Sequence, residues 1–375
     1  GSLWLNSGHL AVCNLGQGTL DILNGGSVVA KSLGIGAGSV VNLAGGRLQL
    51  DNVKLPGPGR FNWTSGTLKV LNDASLDGAR ALTTGMALEV GQVLTVGAGQ
   101  ALVLAGGQLR TGALVLKGGS LMSLGSLDIA TTGNVTGHGL LAGGVVGGAF
   151  NSISASGGTL TLGHASLLGG YDFAGTLNTG GQQVVLLSAD AAQLGVSTTL
   201  DAGGRLSAIN GARLGVGETL SFTGNASIDG NFHHDGAISG SAGTLTFTDD
   251  VSGAGSFAGN ILFQGAYNPG NSPATVHFNN TQARFDTTSV LRLEIQGTNA
   301  GTQYDQLVDI DTLNFDGHLS LAFAGGFEPT AGTRLQLFNF NHFSGHLGAD
   351  NISVTGFDAR RLDFSRLSLD GSLGV

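Results

Sequence analysis

Apolar and polar residues alternate along this chain in runs of two to five, and a glycine closes most runs. Residues 33–50, LGIGAGSVVNLAGGRLQL, show the unit, and residues 94–111, LTVGAGQALVLAGGQLRT, repeat it without a gap at an offset of 61 (94 minus 33). Gly38 then matches Gly99, Leu43 matches Leu104, Gly45 and Gly46 match Gly106 and Gly107, and Leu48 matches Leu109. A partial third copy at 202–206 repeats 44–48. Alternation with period two buries one side of a strand, and glycine supplies the positive-φ corners between strands. A unit this short cannot bury its own apolar face, so neighbouring units must stack on it. The pattern predicts an all-β fold, a parallel β-solenoid in which Leu43 and Leu104 occupy equivalent inward sites.

From the start of the chain to about residue 265 such units follow one another with hardly a loop, as in Thr19-Leu-Asp-Ile22, Thr67-Leu-Lys-Val70 and Thr244-Leu-Thr-Phe247. A threonine at the first position suits a half-exposed strand face. At about 20 to 25 residues per coil, this region makes roughly ten to thirteen coils, on the order of 50 to 60 Å of stack. Pro56-Gly-Pro58 and His233-His234-Asp235 interrupt the register and are expected to project as loops. Around residues 267–273 a turn-rich junction is expected, after which phenylalanine becomes denser and glycine thinner. The reading is therefore a glycine-rich solenoid over 1–265, and over 266–375 a wider, Phe-rich extension of it or a β-sandwich-like cap.

Composition narrows the function without naming it. The chain has 375 residues, 67 of them glycine but not at every third position, which excludes collagen. Hydrophobic residues make up 41%, enough for a packed core and against disorder. A net charge of −9 with 16 scattered Lys and Arg leaves no basic stripe for a phosphate backbone, so no nucleic-acid partner is expected. The single cysteine, Cys13, has no internal disulfide partner. Between Asp128 and Asp172 there is no charged residue, yet Gly, Ser, Thr, Asn and His break every apolar run before it reaches the roughly 20 residues a bilayer needs. No membrane insertion is expected. The first residues already read as strands in mid-pattern, and Gly1-Ser2 suits a processed or cut end with something upstream.

A series of short motifs runs through the last third: Asn268-Pro-Gly-Asn-Ser-Pro273, Leu291-Arg-Leu-Glu-Ile295, Tyr304-Asp-Gln-Leu307, Gly326-Phe-Glu-Pro329, Leu335-Gln-Leu-Phe338, Phe343-Ser-Gly345 and Asp370-Gly-Ser-Leu373. This series resembles the C-terminal passenger region of autotransporter-type β-helix proteins. It is most similar to bacterial surface proteins that carry a C-terminal PEP-CTERM sorting tail. The resemblance covers about residues 268–375; neither the Pro-Glu-Pro tail nor an outer-membrane barrel is in the sequence. It implies export to the surface or exterior of a Gram-negative cell that makes exopolysaccharide, with exopolysaccharide as a partner.

Candidate chemistry is sparse. His233, His234 and Asp235 are the ligand types a transition metal takes, but adjacent strand residues point to opposite faces, which favours a solvated loop. His342 and His346 form a weaker pair. Asp305, Asp309, Asp311 and Asp316 cluster, and alternation puts Asp309 and Asp311 on one face of a strand, where a calcium ion competes with simple solvation as the explanation. Carboxylates, mostly at turns such as Asp21, Asp51, Asp77 and Asp201, have few Lys or Arg near them, against the aligned acidic and basic residues of a glycan-cleaving site. Trp4 and Trp63, if exposed, offer rings for sugars. No catalytic residue, cofactor or metal site is assigned.

Before Asp21 the chain carries no charged residue that would blunt a sheet edge. Leu3, Trp4, Leu5, Leu10, Val12 and Leu20 form the expected N-terminal contact surface, and Phe338, Phe340, Phe343, Phe364 and Leu369 the C-terminal one. The function expected is non-enzymatic: a structural protein of the bacterial surface or biofilm matrix that polymerises head to tail with itself. An adhesin presenting a glycan- or cell-binding surface is the alternative, and a polysaccharide-cleaving β-helix the third.

Overall fold

The structure is a computed structural model that describes residues 1–56, 60–128, 133–270 and 273–375. Among the described residues the regular structure is nearly all β, 63% strand against 2% helix, in parallel stacked coils that form a β-solenoid of about 13 turns. The chain divides into two compact units, Gly1–Gly175 with Leu187–Ala189, and Thr176–Leu186 with Asp190–Val375.

In the first unit the sequence repeat and the coil repeat coincide. Val28, Leu48, Leu68, Leu88 and Leu109 lie in register on successive parallel strands. The step between neighbours is 20 residues, the same step that separates Asn42 from Asn62 and Asn72 from Gln92, with a single extra residue before Leu109. All five are buried. A second column, Leu102, Leu121 and Leu141, climbs in the same way, and each member is fully buried. Parallel strands stack about 4.8 Å apart, so a side chain at a fixed position in every coil meets its equivalent above and below. The corners are the glycines of the repeat. Gly38 and Gly99 both sit near φ +70°, and Gly45 and Gly106 near φ +90°, conformations that L residues with a Cβ rarely adopt.

The equivalence of Leu43 and Leu104 is incomplete. Leu43 is fully buried between Ile22 and Trp63. Leu104 has inward parity, in line with Leu82, but Ser123 follows it, and it is only half buried. A small polar residue in the next coil leaves one side of the leucine uncovered.

In the second unit the columns become aromatic. Ile228, Phe247, Phe263, Phe285 and Phe315 occupy one register column, and the rings of Phe263 and Phe285 stack with centroids 4.9 Å apart at 13°. Coil length varies here. The step from Phe247 to Phe263 is 16 residues, as it is from Asp250 to Ala266, and the step from Phe285 to Phe315 is 30, as it is from Asp311 to Asn341. Parallel stacking continues through Ile352–Thr355, which pairs with His318–Phe323. Beyond it an antiparallel pair, Arg334–Gln336 with Ser372–Gly374, and a one-turn helix, Leu367–Asp370, complete the unit.

Two expected loops are corrected. His233 and His234 belong to the strand Phe232–His234, paired with Ala212–Leu214, because His234 replaces an apolar residue at an inward position. Residues 267–269 of the expected junction are likewise strand, within Ala266–Pro269, with Tyr267 fully buried between Val251 and Leu291. Of the remaining breaks, residues 57–58 and 271–272 lie outside the described residues.

Candidate functional site

The solenoid walls carry most of the polar side chains, and these bond to their equivalents one coil away. Asn62 Nδ2 donates to Asn42 Oδ1 at 3.0 Å, and Asn42 Nδ2 donates to Asp21 Oδ1 at 2.6 Å. Gln92 Nε2 donates to Asn72 Oδ1 at 3.2 Å, and in the second unit Ser207 donates to Asp229 at 2.8 Å. Such ladders follow from the register: like positions in successive coils are brought within hydrogen-bond reach. Their chemistry is cohesive, each group serving as its neighbour's partner.

The histidine pair is split by the strand it lies on. His233 faces outward, with Nε2 at 2.8 Å from Asp235 and Nδ1 at 2.9 Å from Ser252. His234 faces the core, its ring 4.7 Å from that of Phe257, and Nε2 is 3.1 Å from the Ser256 carbonyl oxygen. Burial pushes its pKa down to about 4, so at neutral pH it is an uncharged imidazole whose Nε2–H donates to Ser256. Its Nδ1 finds no hydrogen-bond partner among the described residues. His342 is exposed on its strand, whereas His346 lies beyond it and pairs with Asp350 at 2.7 Å.

The acidic cluster is also dispersed. Asp305 is buried, and its carboxylate accepts the backbone N–H groups of Ala274 and Glu294, each at 2.7 Å. Burial raises its pKa to about 6 against the lowering effect of those two bonds. Asp309 has φ +57° at a break in register and pairs with His277 at 2.7 Å. Asp311 instead accepts from Thr312 at 3.1 Å and Asn341 at 3.3 Å. The simple alternation that would put Asp309 and Asp311 on one face is broken by that left-handed residue. Among the described residues no three His, Cys, Asp or Glu side chains converge on a metal position.

At the N-terminal face the first coil is open. Trp4 is in register with Val28 and so heads the Val28–Leu48–Leu68 column, yet it is 48% exposed. Leu20 is half buried in register with Val41, while Leu10 and Val12 are buried. Leu3 and Leu5 have the opposite parity and point outward. A hollow of about 310 Å³ opens beside Trp4 and Leu20. Trp63, in contrast, is buried with Nε1 donating to the Gly66 carbonyl at 3.2 Å, so it offers no ring to a sugar.

The C-terminal face is partly closed. The Gly371 carbonyl accepts the N–H groups of Leu337 and Phe338, at 3.0 and 3.1 Å. Asp370 holds this arrangement: it accepts from Ser372 Oγ at 2.6 Å and pairs with Arg366 and Arg334, and these bonds hold its carboxyl well below the usual range. Phe338 is fully buried and therefore is not a contact residue; Phe340, Phe343 and Phe364 are half buried, and Leu369 is 72% exposed. The Arg334–Asp370 pair leaves no local signal in the sequence, since the two lie 36 positions apart, whereas Arg366 and Asp370 are an i,i+4 pair whose spacing is legible.

No helix of the described residues is long and apolar enough to cross a membrane. No protein-family model and no curated protein matches the chain.

Proposed function

We propose that this chain is a non-enzymatic structural protein of the bacterial cell surface or biofilm matrix, whose solenoid joins copies end to end. The observation that carries the reading is the register of the coils, in which each coil is completed by an equivalent one stacked on it. Trp4, Leu20 and Ile22 hold core positions in register with Val28, Val41 and Leu43, and among the described residues the strands Leu3–Leu5 and Thr19–Ile22 have a partner strand on one side only. Another parallel coil completes such a face, whether it comes from the same chain or from a second copy. The end of the second unit offers the counterpart, because Phe338–Gly345 and Ile352–Thr355 also pair on one side only among the described residues, with Phe340, Phe343 and Leu369 as apolar contacts. The inter-coil bonding of wall residues supports the same reading, since it spends polar groups on cohesion and not on a cleft.

Light scattering across a concentration series tests it. The chain is expected to grow into end-to-end polymers, accompanied by a blue shift of Trp4 fluorescence, and Trp4→Lys with Leu20→Lys is expected to abolish both. A chain that stays monomeric at high concentration, or a double variant that polymerises unchanged, overturns the proposal. A longer chain whose own upstream coil covers Trp4 is expected to stay monomeric.

A further inference from the structure

The wall of the first unit has a gap. Residues 61–63 pair with residues 41–43 on one side, and Ala79–Thr83 pairs with Ala101–Ala105 on the other. Among the described residues no ladder joins the Phe61–Val70 strand to Ala79–Thr83. Successive residues of a strand turn their N–H and C=O groups to opposite sides. The Val41 N–H donates to the Arg60 carbonyl, so Phe61 and Trp63 turn theirs toward the gap. The Ala101 and Gly107 N–H groups donate to the Gly78 and Leu82 carbonyls, so Ala79 and Ala81 turn theirs toward the gap from the other side. Two strand edges thus face each other across a hollow of about 650 Å³.

The gap also contains a charge at a core position. Arg80 is in register with the fully buried Leu102. Its guanidinium lies 5.5 Å from the Phe61 ring centroid, and Nη2 donates to the Pro56 carbonyl at 2.5 Å. Among the described residues no carboxylate pairs with it, although burial already lowers its pKa. An arginine held partly out of water without a counter-ion is costly, and a bidentate carboxylate is the ligand its geometry fits. Beside it the Asn42–Asn62 amide ladder ends, because alternation places Ala81 as the next outward residue.

We propose that this gap receives an extended peptide segment bearing a carboxylate, which adds as a strand between the two open edges and pairs with Arg80. A peptide fits better than an acidic glycan for two reasons. Both edges present donors and acceptors at strand spacing, which a peptide backbone saturates. The Phe61 and Trp63 side chains are buried, 1% and 7% exposed, and give a sugar ring no face to stack on. The adjacent outward residue of the incoming strand meets Asn62, which favours Asn or Gln there.

Hydrogen exchange on the intact chain is the first test. The amides of Phe61, Trp63, Ala79 and Ala81 are expected to exchange quickly beside protected neighbours such as Leu88; if they are already protected, the chain fills its own gap and the proposal falls. Selection from a displayed library of random eight-residue peptides is the second. Binders are expected to carry Asp or Glu at one position, to protect those four amides, and to weaken at least tenfold in Arg80→Gln but not in Arg47→Gln. Binders indifferent to Arg80→Gln in a folded variant, no binders at all, or Arg80-dependent binding of oligogalacturonate without amide protection would each overturn it. The exchange measurement needs no variant, so a misfolded Arg80→Gln does not remove the test.

Discussion

The column Val28–Leu48–Leu68–Leu88 of the first unit and the column Phe247–Phe263–Phe285–Phe315 of the second solve one problem in two ways. The first keeps its step fixed at 20 residues and fills the core with aliphatic side chains. The second lets the step run from 16 to 30 residues while its rings stay adjacent, 5.6, 4.9 and 5.2 Å apart along the column, the first two pairs stacked and the last tilted by 39°. Ring spacing and strand stacking share nearly the same repeat of about 4.8 Å, so an aromatic column keeps its rings in contact even where connecting segments grow, with the pair across the longest step tilted. Aliphatic columns lack such preferred ring geometries, and their register rests on hydrogen bonds and uniform coil length.

The largest expected effect separates the two columns directly. Phe263→Ala should cost about 4 kcal/mol and Leu68→Ala about 3 kcal/mol, read from urea denaturation with a probe in each unit. Equal losses would mean that ring stacking adds nothing beyond buried area.

Next comes a pH effect confined to the aromatic unit. His234 has a folded pKa of about 4, below its ordinary value of 6.5, so the stability it supports is complete above pH 6.5 and is lost as pH falls through 4. Against a His234→Leu variant, the parent should lose about 3 kcal/mol between those limits. Asp305 works in the opposite direction: its raised pKa of about 6 makes ionisation costly, so its contribution is full below about pH 3.8 and declines as pH rises through 6. A parent-to-variant difference that stays flat with pH would show His234 to be solvated.

The smallest effect concerns the wall. Asn42 both donates to Asp21 and accepts from Asn62, and Asn42→Ala should cost about 1 kcal/mol of the first unit's stability. No change in thermal midpoint would reduce the amide ladder to a surface coincidence.

The repeat made the solenoid legible because its period is local: glycine corners and alternating strands fall within one short stretch such as 33–50, and Val41 and Leu102 occupy equivalent buried positions. What covers a residue is not local. Leu104 matches Leu43 in sequence, but its exposure depends on Ser123 in the next coil. His233-His234 read as a loop because two adjacent histidines are polar, whereas Leu214, the register partner one coil earlier, places His234 inside. The acidic cluster was visible as composition only; the backbone amides that Asp305 accepts belong to Ala274 and Glu294, 31 and 11 positions away. Arg80 gave no warning, since only the register with Leu102 shows that it occupies a core site.

The nearly constant step between coils also bears on how the first unit comes to be folded. Each new coil must close a loop of the same length onto the one before it, so the entropic toll repeats at every turn and does not grow with chain length. A contact separation of about 20 residues keeps each closure small, although parallel pairing still requires that closure before any contact rewards it. Once a pair of coils such as those carrying Leu48 and Leu68 has formed, it is a template for the next, and folding advances as a zipper whose slow event is its nucleus.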